Sequence, residues 1–148
     1  MEVMKKIILE DDAKLVNAYK ISMFTKSDLY KKIAGAKVIE KEKAFCLKIG
    51  LDEYLKLDLE NNKNINVDIS NESVLVQGII DLYAIDNDGK IILVDYKTDY
   101  VEEGNESLLR DRYNKQLELY KKCLEEGLDL EVKEIYIYSL YLNKEIKL

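Results

Sequence analysis

The segment from Val74 to Lys97 constrains the fold of this chain more than any other. Two runs rich in Val, Ile, Leu and Tyr, Val74–Ile85 and Lys90–Lys97, flank Asp86-Asn87-Asp88-Gly89. Such runs on either side of a turn signal predict an antiparallel hairpin. Their near-continuous hydrophobicity predicts central strands covered on both faces. A three-residue loop, Asn87-Asp88-Gly89 with Gly89 left-handed, pairs Asp86 with Lys90 and, further along, sets Asp81 opposite Asp95. Opposed side chains share a sheet face, with Cβ atoms about 4.5–5.5 Å apart. Residues i and i+2 also share a face, so Lys97 projects with Asp95. Two carboxylates and an ammonium are therefore expected to converge within an apolar sheet.

The flanking segments supply the other layers. Asp11 to Ala34 reads as one or two helices, with Leu15, Ala18, Tyr19 and Ser22 on one face and Leu29, Ile33 and Ala34 on a later one. Ser27 is the expected N-cap of the second stretch. Lys37 to about Leu59 is β-like, with Val38, Phe45, Leu47 and Ile49 among charges, and Asn61, Asn62, Lys63 and Asn64 mark a turn. After a loop from Asp99 to Glu106, a helix is expected from Ser107 to Glu126. Leu109, Tyr113, Leu117, Tyr120 and Leu124 form its apolar stripe, and Gly127 ends it. Val132–Leu142 reads as a last strand. The expected class is α/β (α+β), with helices flanking one mixed sheet. The 148 residues suit one domain, and 47% hydrophobic content suffices for a core.

Composition removes whole classes of chemistry. The chain has no His, so it carries no serine–histidine–aspartate triad, no His-ligated zinc and no imidazole base. It has 23 basic and 29 acidic residues, a net charge of −6, unlike a simple nucleic-acid coat protein. No stretch approaches the roughly 20 apolar residues that span a bilayer. The start, MEVMKKIILEDD, lacks the features of a cleavable signal, so a cytoplasmic location without membrane contact is expected. Cys46 and Cys123 are expected as buried, reduced thiols. Two cysteines cannot ligate an iron–sulfur cluster, and no GxxxxGK[ST] loop provides an ATP site.

Two facing carboxylates within a sheet repel each other and resist desolvation. A divalent cation removes that repulsion, and all-oxygen ligation suits Mg²⁺ or Mn²⁺ better than zinc. With Lys97 to orient water or stabilise charge, the set suits metal-assisted phosphodiester hydrolysis. The alternative is an ordinary Asp95–Lys97 ion pair on a solvated face. Against it, VQGIID and IILVDYKTD set their charges in otherwise apolar strands.

VQGIIDLYAID, then GKIILVDYKTD, then QLELY, in that order, resemble the PD-(D/E)XK nuclease domain of RecB-like enzymes. The likeness runs from about Phe24 to the C-terminus and is to the AddA-type helicase–nucleases within that family. It implies a restriction-endonuclease-like fold and a Mg²⁺-dependent deoxyribonuclease, an exonuclease, with Mn²⁺ able to substitute. By this resemblance Asp81 and Asp95 would bind metal, Lys97 would be the catalytic lysine and the Tyr96 carbonyl a further ligand. IEKEKAF looks like the family segment in which a Glu precedes a Phe by three; here these are Glu42 and Phe45, with Ala44 where Pro is common. Glu42 would then be another acidic ligand or a water-orienting group; the other reading is an exposed strand edge. Some relatives carry a metal-binding His on their first helix, which this chain lacks, leaving its site to be completed by Glu42, water or substrate oxygens.

Gln116 and Tyr120, spaced i and i+4, share a helix face. The resemblance places this pair beside the active site, where otherwise a surface amide and a core aromatic would be read. Arg110, Arg112, Lys115, Lys121 and Lys122 are candidate phosphate contacts, Arg112 and Lys115 foremost. They stand against Asp111, Glu118, Glu125 and Glu126 and could equally form a solvated face. The resemblance further implies a helicase upstream of residues 1–24, a helical lead-in to a nuclease core at 25–148. It implies an AddB-like partner, single-stranded DNA as substrate, and a role in double-strand-break repair and recombination. The competing reading is an inert module of the same fold that binds DNA or braces a complex.

Overall fold

The structure, a computed structural model, describes residues 18–57 and 71–148. In chain order the elements are α1 (Ala18–Lys26), α2 (Asp28–Ala34), β1 (Val38–Gly50), α3 (Leu51–Lys56), β2 (Ser73–Ile85), β3 (Ile91–Lys97), α4 (Ser107–Leu128), β4 (Val132–Ser139) and β5 (Lys144–Lys147). The strands form one sheet in the order β1-β2-β3-β4-β5. Only the β3–β4 pair is parallel, and α4 makes the crossover that a parallel connection needs. This is the mixed sheet with flanking helices that the sequence pattern predicts.

The hairpin is as expected. The Asp86 N–H donates to Lys90 O at 2.8 Å, Gly89 has φ +76°, and Leu82 pairs with Val94. All of Ile91 to Asp95 is buried. Ile91 and Leu93 pack with Leu109, Leu117 and Tyr120 of α4, whereas Ile92 and Val94 pack with Leu29 and Ile33 of α2. Alternation along β3 therefore points Asp95 and Lys97 towards α4. Ser27 caps α2 by accepting the Tyr30 N–H at 3.0 Å. Among the described residues no helix is long and apolar enough to cross a membrane.

Several expectations are corrected. The strand from Lys37 stops at Gly50 instead of continuing to Leu59, and α3 follows. Asp52 and Glu53 suit the first turn of that helix, and Tyr54 packs on the Leu47–Ile49 cluster. The last helix runs through Gly127, and its left-handed cap is Asp129 at φ +55°, whose N–H reaches Glu125 O. Val132–Leu142 divides into β4 and a turn leading to β5, with Asn143 at φ +51°. Tyr19 and Ala34 are exposed, not core. Both cysteines are free, but Cys46 is exposed and Cys123 half-buried, because Cys46 sits on the outer face of β1. Leu15, the helix expected before Ala18 and the turn expected at Asn61–Asn64 lie outside the described residues.

Glu134 on β4 ties two layers together. It accepts from Lys32 of α2 at 2.7 Å and from Lys147 of β5 at 2.8 Å. Burial acts to raise its pKa, but the two lysine bonds outweigh it and bring the carboxyl from 4.5 to about 2. A carboxylate depressed in the folded state contributes stability present above its unfolded pKa and lost as pH falls towards the folded one. Denaturant titration should show about 1–2 kcal/mol lost between pH 4.5 and 2, the lysines being half-exposed. Glu134→Gln should flatten that limb; an unchanged acid profile would contradict the assignment.

Candidate active site

The β2–β3 ladder pairs as far as Leu82 and Val94, so Asp81 and Asp95 are the next residues beyond its end, near enough for the charge of one to act on the other. Asp81 Oδ2 accepts the Tyr96 backbone N–H at 2.8 Å, so its carboxylate stands in for a ladder bond. Asp95 is 1% exposed, and its Oδ2 receives no hydrogen bond of good geometry. Its compensation is the charge of Lys97, whose Nζ lies 2.7 Å from that oxygen. Burial pushes the Asp95 pKa up; Lys97 opposes this through its contact and charge, and the nearby Asp81 charge adds to the rise. Lys97 thus supplies the positive charge that opposes burial at Asp95.

Lys97 is gripped from three sides. Besides Asp95, its Nζ donates to Gln116 Oε1 at 3.1 Å and lies 4.0 Å from the centre of the Tyr113 ring. Gln116 in turn donates through Nε2 to the Tyr120 hydroxyl. Tyr120 is nearly buried, and its pKa is raised by that burial, against the Gln116 bond, with the charges of Asp95 and Asp81 adding to the rise. The i, i+4 pair on α4 therefore reaches the carboxylate–lysine cluster, as the sequence reading expects. The Tyr96 side chain turns to the opposite face, against Phe24 at 5.2 Å. There burial and the fields of Asp81 and Tyr138 raise its pKa to about 12. Only its backbone is left for the site.

Glu42 occupies an unusual place. Lys41 pairs with Leu82 and Lys43 with Ile80, which leaves Glu42 in the slot opposite Asp81. Its φ of +50° takes it out of the ladder, a conformation that costs a non-glycine residue about 1–2 kcal/mol. At this point the strands change the face they present to α4. On β2 the positions packed beneath α4 pass from Val74, Val76 and Ile80 to Tyr83 and Ile85. The Glu42 side chain is exposed. Among the described residues, no three acidic or sulfur side chains gather closely enough to hold a metal. Asp81 and Asp95 are brought together; Glu42 is adjacent in register but is not in the cluster.

A groove of about 450 Å³ lies between the outer β1–β2 ladder and α4, lined in part by Phe45, Gly78, Arg112, Lys115, Gln116 and Tyr120. Arg112 and Lys115 thus line the same groove as the Gln116–Tyr120 pair. Arg112 is bound to Asp99 at 2.6 Å, and Lys115 Nζ lies 4.1 Å from the Tyr54 ring centre. Asp99 also accepts from the Tyr113 hydroxyl at 2.8 Å. Sequence reasoning missed Asp99 and the role of Tyr113. The spacing of Tyr113 three residues before Gln116 carries the signal, since both then face β3.

The sequence profile of the PD-(D/E)XK nuclease superfamily matches residues 5–147. The chain is 39% identical over 150 residues to the AddA protein of the ATP-dependent helicase/nuclease of Clostridium perfringens (strain 13 / Type A), covering 99% of this chain and 11% of that protein. It is 39% identical over 142 residues to the protein of the same name from Thermoanaerobacter sp. (strain X514), covering 96% and 11% respectively. For that of Clostridioides difficile (strain 630) the identity is 40% over 145 residues, covering 97% and 11%. The chain thus spans about a tenth of the length of these curated relatives.

Proposed function

This chain belongs to the PD-(D/E)XK nuclease superfamily, and on that premise we propose that it hydrolyses DNA phosphodiester bonds at Asp81, Asp95 and Lys97 with a divalent cation. The observation that carries this reading is the buried Asp95 carboxylate, set beside Asp81 and countered, among the described residues, by Lys97. A structural ion pair would have no need of a second acid against it, whereas a cation-binding pair does.

The donor set fits such an ion. Asp95 Oδ2 lacks a hydrogen-bond donor, and both acids offer the hard oxygen that Mg²⁺ and Mn²⁺ prefer. Asp81, Asp95 and the Tyr96 carbonyl would hold it, and the strained backbone of Glu42 opposite Asp81 supports a share for that carboxylate. When bound, the cation would supply positive charge against a phosphate and relieve the repulsion between the acids. Lys97 orients the attacking water or stabilises charge on the phosphate, its ammonium fixed by Asp95 and Gln116. Gln116 and Tyr120 position that lysine and meet the strand. Arg112 and Lys115 take phosphates along the groove, where DNA would compete with Asp99 for Arg112.

By likeness to the helicase/nuclease relatives, we read the chain as the nuclease unit of a longer, AddA-like polypeptide. Its helicase would deliver single strands, an AddB-like protein would be its partner, and exonuclease action in cytoplasmic double-strand-break repair its setting. Incubating the chain with a labelled single-stranded oligonucleotide tests the activity. Cleavage with Mg²⁺ and none with EDTA is expected; DNA binding without cleavage at any metal concentration would favour the inert module instead.

A further inference from the structure

Gly78 lies in the middle of β2, where a glycine costs stability and has no side chain to pack. Its partner across the ladder is Phe45 of β1. A Cβ built on Gly78 would come within 2.7 Å of Phe45 Cε1 and 3.1 Å of Cζ, so the ring occupies the space that the glycine leaves. The Phe45 ring meets that of Tyr120 edge to face, with centres 5.3 Å apart and planes at 77°. The Tyr120 hydroxyl accepts from Gln116, and Gln116 accepts from Lys97. A continuous run of contacts thus joins the outer strand pair to the lysine of the proposed site.

We propose that Phe45 and Gly78 are positioning residues, which hold the Lys97 ammonium in place through Tyr120 and Gln116. The inference rests on the nuclease reading of Lys97 and deepens it. Asp95 anchors Lys97 from its own strand and the Tyr113 ring lies against the ammonium, but neither supplies a directional hydrogen bond away from Asp95. The arm through Gln116 fixes the second direction. A displacement of about 1 Å at a reacting group can cost as much as a hundredfold in rate, so a ring two residues removed from the lysine can matter without touching substrate.

Phe45→Leu keeps apolar volume but removes the ring edge, and Gly78→Ala drives the ring from its slot. Each should lower kcat about tenfold with KM within about twofold. In a Gln116→Ala background neither should lower kcat further, because the route to Lys97 is already cut. Equal losses in both backgrounds, or no loss in either, would overturn the proposal. Nuclear magnetic resonance of the metal-free chain supplies a readout independent of cleavage. The Gln116 side-chain amide should be shifted and protected from exchange in the wild type, and should lose both features in Phe45→Leu; an unchanged amide would overturn the proposal. Should Gly78→Ala fail to fold, Phe45→Leu carries the test. If the wild type does not cleave at all, that result counts against the nuclease reading, while the amide still decides whether Phe45 holds Gln116.

Discussion

Asp81→Asn and Asp95→Asn should each lower Mg²⁺-dependent cleavage by about a thousandfold or more, equivalent to about 4 kcal/mol of barrier, without unfolding the chain. The amide keeps the shape of the carboxylate, so packing under α4 is preserved. In Asp81→Asn the new carbonyl oxygen can still accept the Tyr96 N–H, which keeps the end of the β2–β3 ladder closed. What each variant loses is a full negative charge where a cation would sit. Circular dichroism should be unchanged, and cleavage under saturating substrate should fall. A wild-type rate in either variant would remove the acid it replaces from the proposed chemistry.

The second large effect is expected at Lys97. Lys97→Met retains an unbranched stem over the Tyr113 ring and removes the ammonium. Cleavage should fall by about a hundred- to a thousandfold, the range for loss of one preorganised charge at a reacting centre. Stability should respond as well. Asp95 is almost wholly buried and Lys97 is its ion-pair partner, so removing Lys97 strands a buried charge, at a cost of about 3–5 kcal/mol in such pairs. Combining Lys97→Met with Asp95→Asn should restore most of that stability and none of the cleavage. A divalent cation should also recover part of it in the single variant, by taking over the neutralisation of Asp95. If Lys97→Met is inactive but as stable as wild type, with and without metal, the electrostatic description of Asp95 is wrong.

The heart of this arrangement was legible in sequence because a short hairpin transmits its register reliably. Gly89 fixes the loop, the loop fixes Asp86 against Lys90, and the pairing then runs from Ile85–Ile91 to Leu82–Val94, one step short of Asp81 and Asp95. That Gln116 and Tyr120 share a helix face was readable from their i, i+4 spacing, whereas the place of that face beside the acids was implied only by the family resemblance. The change of face at Glu42 and Asp81 was hidden. Its neighbours IIDLYAI are apolar at nearly every position, so no alternation exists to reveal a break in it. Strand β5 was missed for the opposite reason: Lys144–Lys147 has one buried residue, Ile146, and becomes a strand only by pairing with β4. The groove and the Phe45–Tyr120 contact depend on how α4 crosses the sheet, and the Phe45–Gly78 contact on the β1–β2 register, neither of which a local pattern encodes. The expected burial failed at Cys46, although both thiols are free, because residue type alone does not set the face of a strand.

The chemistry proposed for this site requires that Asp81 and Asp95 together bind a divalent cation. Mn²⁺ titration of the metal-free chain, followed by calorimetry and by the electron paramagnetic resonance of the free ion, measures this directly. The prediction is saturable binding in the wild type, lost in Asp81→Asn and Asp95→Asn and retained in Lys97→Met. Binding of equal strength in all four proteins, or none in the wild type, would contradict it.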